Sequence, residues 1–241
     1  QTISFKNTSN KKLNKIYLND WANSYEGTES QLVNHLANQF NRSFYFSAKN
    51  KLGYTEIKTI NNNQSTLKWS RLKEQLDIVE VILNEALNPG EIVNFSINYS
   101  IKLPDDKFTG YGVSSNNKIF FRDFFISVSP LKKDAWILHS NLGLRDNSND
   151  PSSYLINWKY PNNYNLISNL TNISKKKYAG DLISSQFEAD ELSSPEFIFD
   201  EKNDFEKIVF SDGFIVETDI LPKKNGTVEL EKSLEKIYLF T

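Results

Sequence analysis

Apolar and polar residues alternate along most of the chain, which is the pattern of half-buried β-strands. The clearest case is 92–103, where Val93, Phe95 and Ile97 fall on one face and the Asn and Ser residues between them fall on the other. A turn sequence at 88–90 precedes this strand. Further strands are expected at 13–18, 76–83, 118–128, 135–139, 154–159, 164–168, 206–220 and 236–240.

One segment, at 29–42, instead follows the 3.6-residue period of an amphipathic helix. Leu32 and Leu36 recur with that period on one face. Thr28 and Gln31 have the spacing of a capping box, which places the start of the helix at this point. The helix is short and lies alone among strands, so we expect it to pack on one edge of a sheet.

Many strands with one lone helix predict an all-β fold, an antiparallel β-sandwich or saddle with one short helix near residues 29–42. A further helical turn is expected at 188–194. The sequence shows no internal repeat, so we expect a single mainly β domain over 1–241 with its core sandwich at about 1–190. Residues 191–241 supply either the last strands or the start of a following domain.

The amino-acid composition of the chain argues against several classes of function. The 241 residues carry a formal net charge of −2 with both signs interspersed, and the longest basic run is Lys175-Lys176-Lys177, which argues against a nucleic-acid partner. Cysteine is absent, so a disulfide or a thiolate site is impossible. No apolar run is long enough to predict a transmembrane segment. Methionine is also absent, so we expect a processed product or a fragment; Gln1 would suit cleavage of a signal peptide.

No residue has the context of a catalytic group. His35 lies within the predicted helix and His139 follows a predicted strand, and neither belongs to a His-Glu-x-x-His motif. Both are expected to be surface or capping side chains. Adjacent carboxylates point apart in strands and loops, so they do not form an acid–base pair. We therefore expect no catalytic residue; an unrecognised site that uses His139, Asp146 or Asp150 stays as a rival.

The segment 146–150 brings several oxygen ligands close together, as a calcium loop does. It lacks the central Gly and the terminal bidentate Glu of an EF-hand, and such Asx-rich loops arise readily in an Asn-rich chain. We expect no metal site here. The alternative is a calcium loop formed by Asp146, Asn147, Asn149 and Asp150.

Aromatic residues are dense at 44–46 and at 120–125. A strand with rings on both faces is expected to be buried on both faces or covered by a partner domain. Exposed rings could instead stack on sugars. We expect burial, and the residues that could form a domain interface are Phe120, Phe121, Phe124 and Phe125.

Four motifs follow one another along residues 3–170. They are the W-x-N-x-Y sequence at 21–25, the strand at 53–57, the L-x-P-G-E…Y…L-P stretch at 87–104, and the P-x-x-Y-x-x-x-S-N sequence at 161–169. In this order they resemble the N-terminal, non-catalytic β domain of aminopeptidase-N-like zinc metallopeptidases, and bacterial members in particular. The resemblance implies a β saddle that packs on a thermolysin-like catalytic domain, which follows it in the polypeptide.

The resemblance carries no zinc ligand into this chain. The catalytic domain of the family holds its metal through His-Glu-x-x-His and has a Gly-x-Met-Glu-Asn strand, and both are missing here. The family's Pro-Cys-x-Asp-Pro segment is missing too, since only Pro130 matches within 125–130. No cofactor is therefore expected in this chain, and zinc is expected only in a following catalytic domain, of which 191–241 could be the first strands.

The expected function is that of an accessory domain which is not itself an enzyme. It would scaffold the downstream catalytic domain and shape the access of a peptide substrate to it, since a peptidase cleft needs walls that exclude water. The alternative is an extracellular β-sandwich that binds a carbohydrate or a protein. Either protein is expected to be exported by a bacterium to the periplasm, the cell surface or the medium.

Overall fold

In the described part of the chain the strands pair antiparallel in every sheet, and one α-helix lies among them. The computed structural model describes residues 1–62, 65–144, 149–202, 205–209 and 215–218. The strands are β1 (Thr2–Lys6), β2 (Leu13–Asn19), β3 (Tyr54–Asn62), β4 (Lys68–Arg71), β5 (Ile78–Leu87), β6 (Ile92–Lys102), β7 (Gly112–Val113), β8 (Ile119–Arg122), β9 (Ser127–Val128), β10 (Leu131–Lys132), β11 (Ala135–Trp136), β12 (Ser152–Pro161), β13 (Asn165–Ser168), β14 (Thr171–Tyr178), β15 (Leu182–Leu192), β16 (Glu196–Asp200), β17 (Glu206–Val209) and β18 (Ile215–Thr218). The helices are α1 (Gln31–Asn38) and three 3₁₀ turns at Trp21–Tyr25, Lys49–Lys51 and Asp106–Phe108.

The first hydrophobic core lies between the sheets β1–β6–β3 and β4–β5–β2–β9. The strand predicted at 92–103 is confirmed as β6, with Phe95 and Ile97 buried and the residues beside them exposed. Ile16 and Leu18 of β2 face the same core. The alternation of the sequence therefore places one apolar face of each sheet against the other, as in a sandwich.

The second hydrophobic core is larger and mostly aromatic. It gathers residues from the sheet β13–β16–β8–β7, the sheet β12–β15–β14 and α1. Its buried residues are Ala22, Tyr25, Leu32, Val33, Leu36, Phe44, Phe108, Tyr111, Phe124, Tyr160, Leu170, Phe187, Phe197 and Phe199. The chain crosses between the two cores several times, and two of these crossings are short, between Leu18 and Tyr25 and between Phe124 and Ile126.

The helix is confirmed but is shorter than the predicted 29–42, and Thr28 does not cap it. The N-cap is Ser30, whose Oγ accepts a hydrogen bond from the Val33 N–H at 3.2 Å. Ser30 takes this role because it has the extended backbone of an N-cap, while Thr28 lies two residues before the N-cap position. The helix ends because Phe40 adopts a φ of 61°.

Other predicted elements are corrected by long-range pairing. The helical turn at 188–194 is wrong, since β15 continues to Leu192 and pairs along its length with β12. Pairing with a neighbouring strand overrides a weak local preference. The strand at 118–128 splits into β8 and β9, because Asp123 has a φ of 50° and ends β8. The strand at 135–139 shortens to β11.

The aromatic run at 44–46 forms a turn, not a strand. Phe44 is buried as expected, but Tyr45 and Phe46 are exposed, which corrects the expectation of burial for these two rings. A turn has no second face to bury, so consecutive rings cannot all enter one core.

The single strand predicted at 206–220 is corrected, because the described residues of this segment form two strands, β17 and β18, which pair antiparallel. The predicted strand at 236–240 lies outside the described residues. β16, which begins at Glu196, pairs with both β8 and β13 and so belongs to the second core.

Among the residues that the structure describes, no helix is long and apolar enough to cross a membrane.

Candidate functional site

A groove of about 250 Å³ lies on the outer face of the sheet β13–β16–β8–β7. Phe121 pairs with Phe197, which is fully buried, so this pair points into the core. Successive residues of a strand point to opposite faces, so the neighbouring pairs point outward. The outward pairs are Phe120 with Ile198 and Arg122 with Glu196.

The groove combines an apolar floor with a charged rim. Phe120 and Ile198 supply the floor, while Arg122 and Glu196 stand at one end of it. Gly110, Asp123 and Ser194 complete that end. An apolar surface beside a few polar groups is the composition of a ligand site.

The other end of the same outer face is closed by the chain itself. The ammonium of Lys118 lies 3.8 Å from the buried carboxylate of Asp200 and 4.7 Å from the centre of the Phe205 ring. The Phe205 ring therefore covers one end of this face, and the groove lies at the other.

Asp123 fixes the charged end of the groove. Its φ of 50° is rare for a residue with a side chain and costs about 1 kcal/mol. The bonds of its carboxylate offset that strain: Oδ1 accepts from the Ser194 hydroxyl at 2.9 Å, and Oδ2 lies 3.9 Å from Nε of Arg122. Arg122 also donates to the carbonyl of Thr109 at 3.3 Å, so three loops are tied together here.

A small cavity of about 10 Å³ lies directly behind Arg122 and Asp123. Tyr25, Tyr111 and Asn141 line it from the other side. The Tyr111 hydroxyl is buried and has no hydrogen-bond partner among the described residues. Burial raises the pKa of both Tyr25 and Tyr111, so these phenols stay neutral. The space is close to that of a single water, which such a polar wall could hold.

The Trp21–Tyr25 turn, which is the W-x-N-x-Y motif, supports this cavity. Every residue of the turn is buried. The Trp21 indole N–H donates to the carbonyl of His139 at 2.8 Å, and the Asn141 amide donates to the Ser24 hydroxyl at 2.9 Å. The motif therefore holds the 139–143 loop against the back of the groove.

Two buried carboxylates anchor the same turn. Asp20 accepts from the Thr55 hydroxyl at 2.8 Å and pairs with Arg71 at 2.7 Å. Asp77 accepts from the backbone N–H of Asn141 at 2.7 Å. Burial raises the pKa of Asp77 to about 6, and it also raises the pKa of Asp20 despite the neighbouring Arg71.

The structure brings the four interface candidates close together. Phe124 is buried in the second core, and Phe121 and Phe125 pack against it. Their rings meet at 5.1 Å between Phe121 and Phe124 and at 5.7 Å between Phe124 and Phe125. Phe120 points outward into the groove, and Phe121 also contributes to its lining. A contact of these residues with a neighbouring domain stays a prediction.

The two histidines lie apart from the groove. The His35 ring meets the Gln39 amide at 2.9 Å on the surface of α1, and His139 is exposed. Within the described ranges, no three His, Cys, Asp or Glu side chains group so that they could hold a metal. A site that combines His139 with Asp146 and Asp150 stays a prediction, because Asp146 lies outside those ranges.

The calcium-loop candidate is only partly described. Asp146 and Asn147 lie outside the described residues. Asn149 is buried, and its Oδ1 accepts from the Ser127 hydroxyl at 2.8 Å, while Asp150 lies 4.0 Å from the ammonium of Lys132. Both described members thus have protein partners, and calcium binding by this loop stays a prediction.

Sequence reasoning missed the groove itself. The charged pair Arg122-Asp123 interrupts a run of four Phe residues, and that interruption was the one available signal. Nothing local marks Glu196 or Ile198, since they reach the groove only through the pairing of β16 with β8.

Comparisons with known proteins find a partial likeness. The sequence matches no protein-family model and no curated protein. A solved structure of an M1 zinc metallopeptidase variant from Deinococcus radiodurans, bound to a Tyr-Ser-Ala substrate, is similar with 13% identity and a TM-score of 0.49 over 93% of this chain and 44% of its own. A second solved structure, of an M1 zinc metallopeptidase from that organism, gives 14% identity and a TM-score of 0.47 over 89% of this chain and 42% of its own. This chain therefore spans less than half the length of the chains in these two structures.

Proposed function

We propose that this chain is a non-catalytic accessory domain of a metallopeptidase-like protein and that its groove forms one wall of a peptide-binding cleft. The other wall is a catalytic domain in the same polypeptide, which holds the zinc. The observation that carries the proposal is the groove, which is open, has an apolar floor and has charges at one end.

The size of the groove supports a shared site. Complete ligand pockets enclose about 300–1,000 Å³, whereas this groove holds about 250 Å³ and opens to one side. It suits one or two side chains of a peptide and not an entire ligand. A second body is then needed to close the site and exclude water.

The order of the four sequence motifs supports the catalytic domain of a metallopeptidase as the partner. The first motif is the buried turn that holds the 139–143 loop behind Arg122 and Asp123. The second begins at Gly53, where a Cβ would lie 2.7 Å from the carbonyl oxygen of Lys102, so a close approach of two strands requires glycine there. The first of these motifs thus supports the residues behind the groove, as a scaffold role requires.

The coding sequence downstream of this segment gives the first test. A His-Glu-x-x-His motif in the same reading frame supports the proposal, and a stop codon directly after Thr241 refutes it.

The second test uses the full polypeptide and a set of aminoacyl p-nitroanilides. Phe120→Ala removes most of the floor of the groove, and we expect a higher KM with a changed preference among substrates. The matched control is Leu155→Ala, which removes an exposed apolar side chain of β12 on the other sheet. Equal KM values for Phe120→Ala and the control would contradict a role of the groove in substrate access.

We also propose that the protein is exported by a bacterium. Secretion of the full polypeptide with a cleavable leader, followed by mass spectrometry of the mature N-terminus, tests this. A protein recovered only from the cytosol would overturn it.

A further inference from the structure

The connection between α1 and β3 carries the most exposed aromatic side chains of the described protein. We define the aromatic–basic loop as residues 38–51. Phe40 is 88% exposed and Phe46 83%, and Tyr45 between them is 46% exposed. Apolar rings exposed to this extent point to a contact outside the chain.

Phe40 has a strained, left-handed backbone, and its ring is exposed to solvent. The Phe40 N–H donates to the carbonyl of Ala37 and the Asn41 N–H to that of Leu36, which is the hydrogen-bond pattern that closes a helix around a left-handed residue. Glycine is the usual residue at that position, since a side chain is unfavourable at a φ of 61°. A strained backbone and an exposed ring do not stabilise the fold. A contribution to folding stability therefore does not explain why position 40 is phenylalanine.

The ring in the middle of the loop anchors it to the protein. Phe44 is buried and packs against Phe108, with ring centres 4.8 Å apart and ring planes tilted by 47°. The turn at 43–46 therefore has one ring fixed in the second core, and Tyr45 and Phe46 are left on its outer side.

The charge around these rings is positive. Residues 30–55 contain Arg42, Lys49 and Lys51 and neither Asp nor Glu. The ammonium of Lys102 donates to the carbonyl of Lys49 at 3.2 Å and so adds a fourth cation beside the loop. Asp105 lies beside the loop and is shared by Lys51 at 3.2 Å and Lys107 at 3.8 Å.

We propose that the aromatic–basic loop binds the surface of an anionic lipid bilayer, with Phe40 and Phe46 inserted at the level of the headgroups. Aromatic rings favour that level, and lysine and arginine beside them are attracted to acidic headgroups while their stems stay in the interface. Lysine is by contrast depleted in the centre of protein interfaces. The loop also lines neither the groove nor the small cavity.

Vesicle co-sedimentation tests the proposal with the full chain. We expect binding to phosphatidylcholine vesicles that contain phosphatidylglycerol, and binding weaker by about tenfold or more to pure phosphatidylcholine, because several cations each add to the attraction. Higher salt should weaken the binding. Equal binding to both kinds of vesicle, or none to either, would overturn the proposal.

The variant Phe40→Gly with Phe46→Ser separates the role of the rings from folding. Glycine suits the backbone of position 40, so this variant should keep its thermal transition while its affinity for the acidic vesicles falls about tenfold or more. The control is Leu155→Ser, which removes a side chain that is 62% exposed on β12 and should leave the affinity unchanged. Unchanged affinity of the double variant for the acidic vesicles would refute the proposal. Binding of the protein to soluble polyglutamate but not to vesicles would also refute it and would favour an acidic protein partner.

Discussion

Replacement of Asp77 by asparagine should stabilise the protein at neutral pH. The carboxylate of Asp77 is almost entirely buried, and burial raises its pKa from 3.8 to about 6. Its main contact is the hydrogen bond from the Asn141 N–H at 2.7 Å, which a neutral amide oxygen can accept equally well. Asparagine therefore keeps the bond and removes the buried charge.

The magnitude follows from the change in pKa on folding. A rise of about two units corresponds to about 3 kcal/mol, at about 1.4 kcal/mol for each unit. Because the folded pKa is the higher one, the stabilising contribution of Asp77 is fully present below about pH 4. It is lost as the pH rises through about 6. The wild-type protein thus loses up to about 3 kcal/mol between these limits, and the Asp77→Asn variant does not.

Urea unfolding followed by tryptophan fluorescence measures the effect, since the chain has four tryptophans. At about pH 4 the two proteins should have similar free energies of unfolding, and at about pH 7 the variant should be the more stable by up to about 3 kcal/mol. Asp150→Asn is the control, because its side chain is 57% exposed. A variant that is no more stable than the wild type at neutral pH, with the same dependence on pH, would refute the reasoning.

Three further substitutions test individual contacts by thermal or urea unfolding. Tyr111→Phe removes a buried hydroxyl that has no partner among the described residues, so stability should rise by about 1 kcal/mol, and a clear loss would show that the hydroxyl is bonded. Gly112→Ala should prevent or severely weaken folding, because the added Cβ would lie 2.1 Å from the carbonyl oxygen of Pro104 at a φ of 117°; near-wild-type stability would contradict that geometry. Ser30→Ala should cost about 1 kcal/mol through loss of the helix cap, whereas Thr28→Ala should have almost no effect, and the reverse order would restore Thr28 as the cap.

The sequence was most informative where one local rule decides the structure. The alternation at 92–103 requires only that one face be apolar, and β6 follows it residue by residue. The helix was found from its period, but its limits depend on a cap and on the left-handed Phe40, which the period does not contain. The sequence does not indicate where this helix ends, because the left-handed residue after a helix is usually glycine and here it is phenylalanine.

The groove could not be predicted, because residues distant in sequence build it. Phe120 and Ile198 become neighbours only when β8 pairs with β16, and that register is set by the burial of Phe121 and Phe197 in the core. The raised pKa of Asp77 is similarly a property of the packed fold, since it needs the 139–143 loop above the carboxylate. The local sequence pattern thus predicts the strands, whereas the groove forms only through long-range packing.

The repeated crossing of the chain between the two cores has a consequence for how the protein unfolds. Leu18 and Tyr25 lie in different cores only a few residues apart, and so do Phe124 and Ile126. We therefore expect disruption of either core to displace the backbone that enters the other, so that the two cores unfold together. Calorimetry should record one transition for both sandwiches, and a fragment that holds only one of them should remain unfolded.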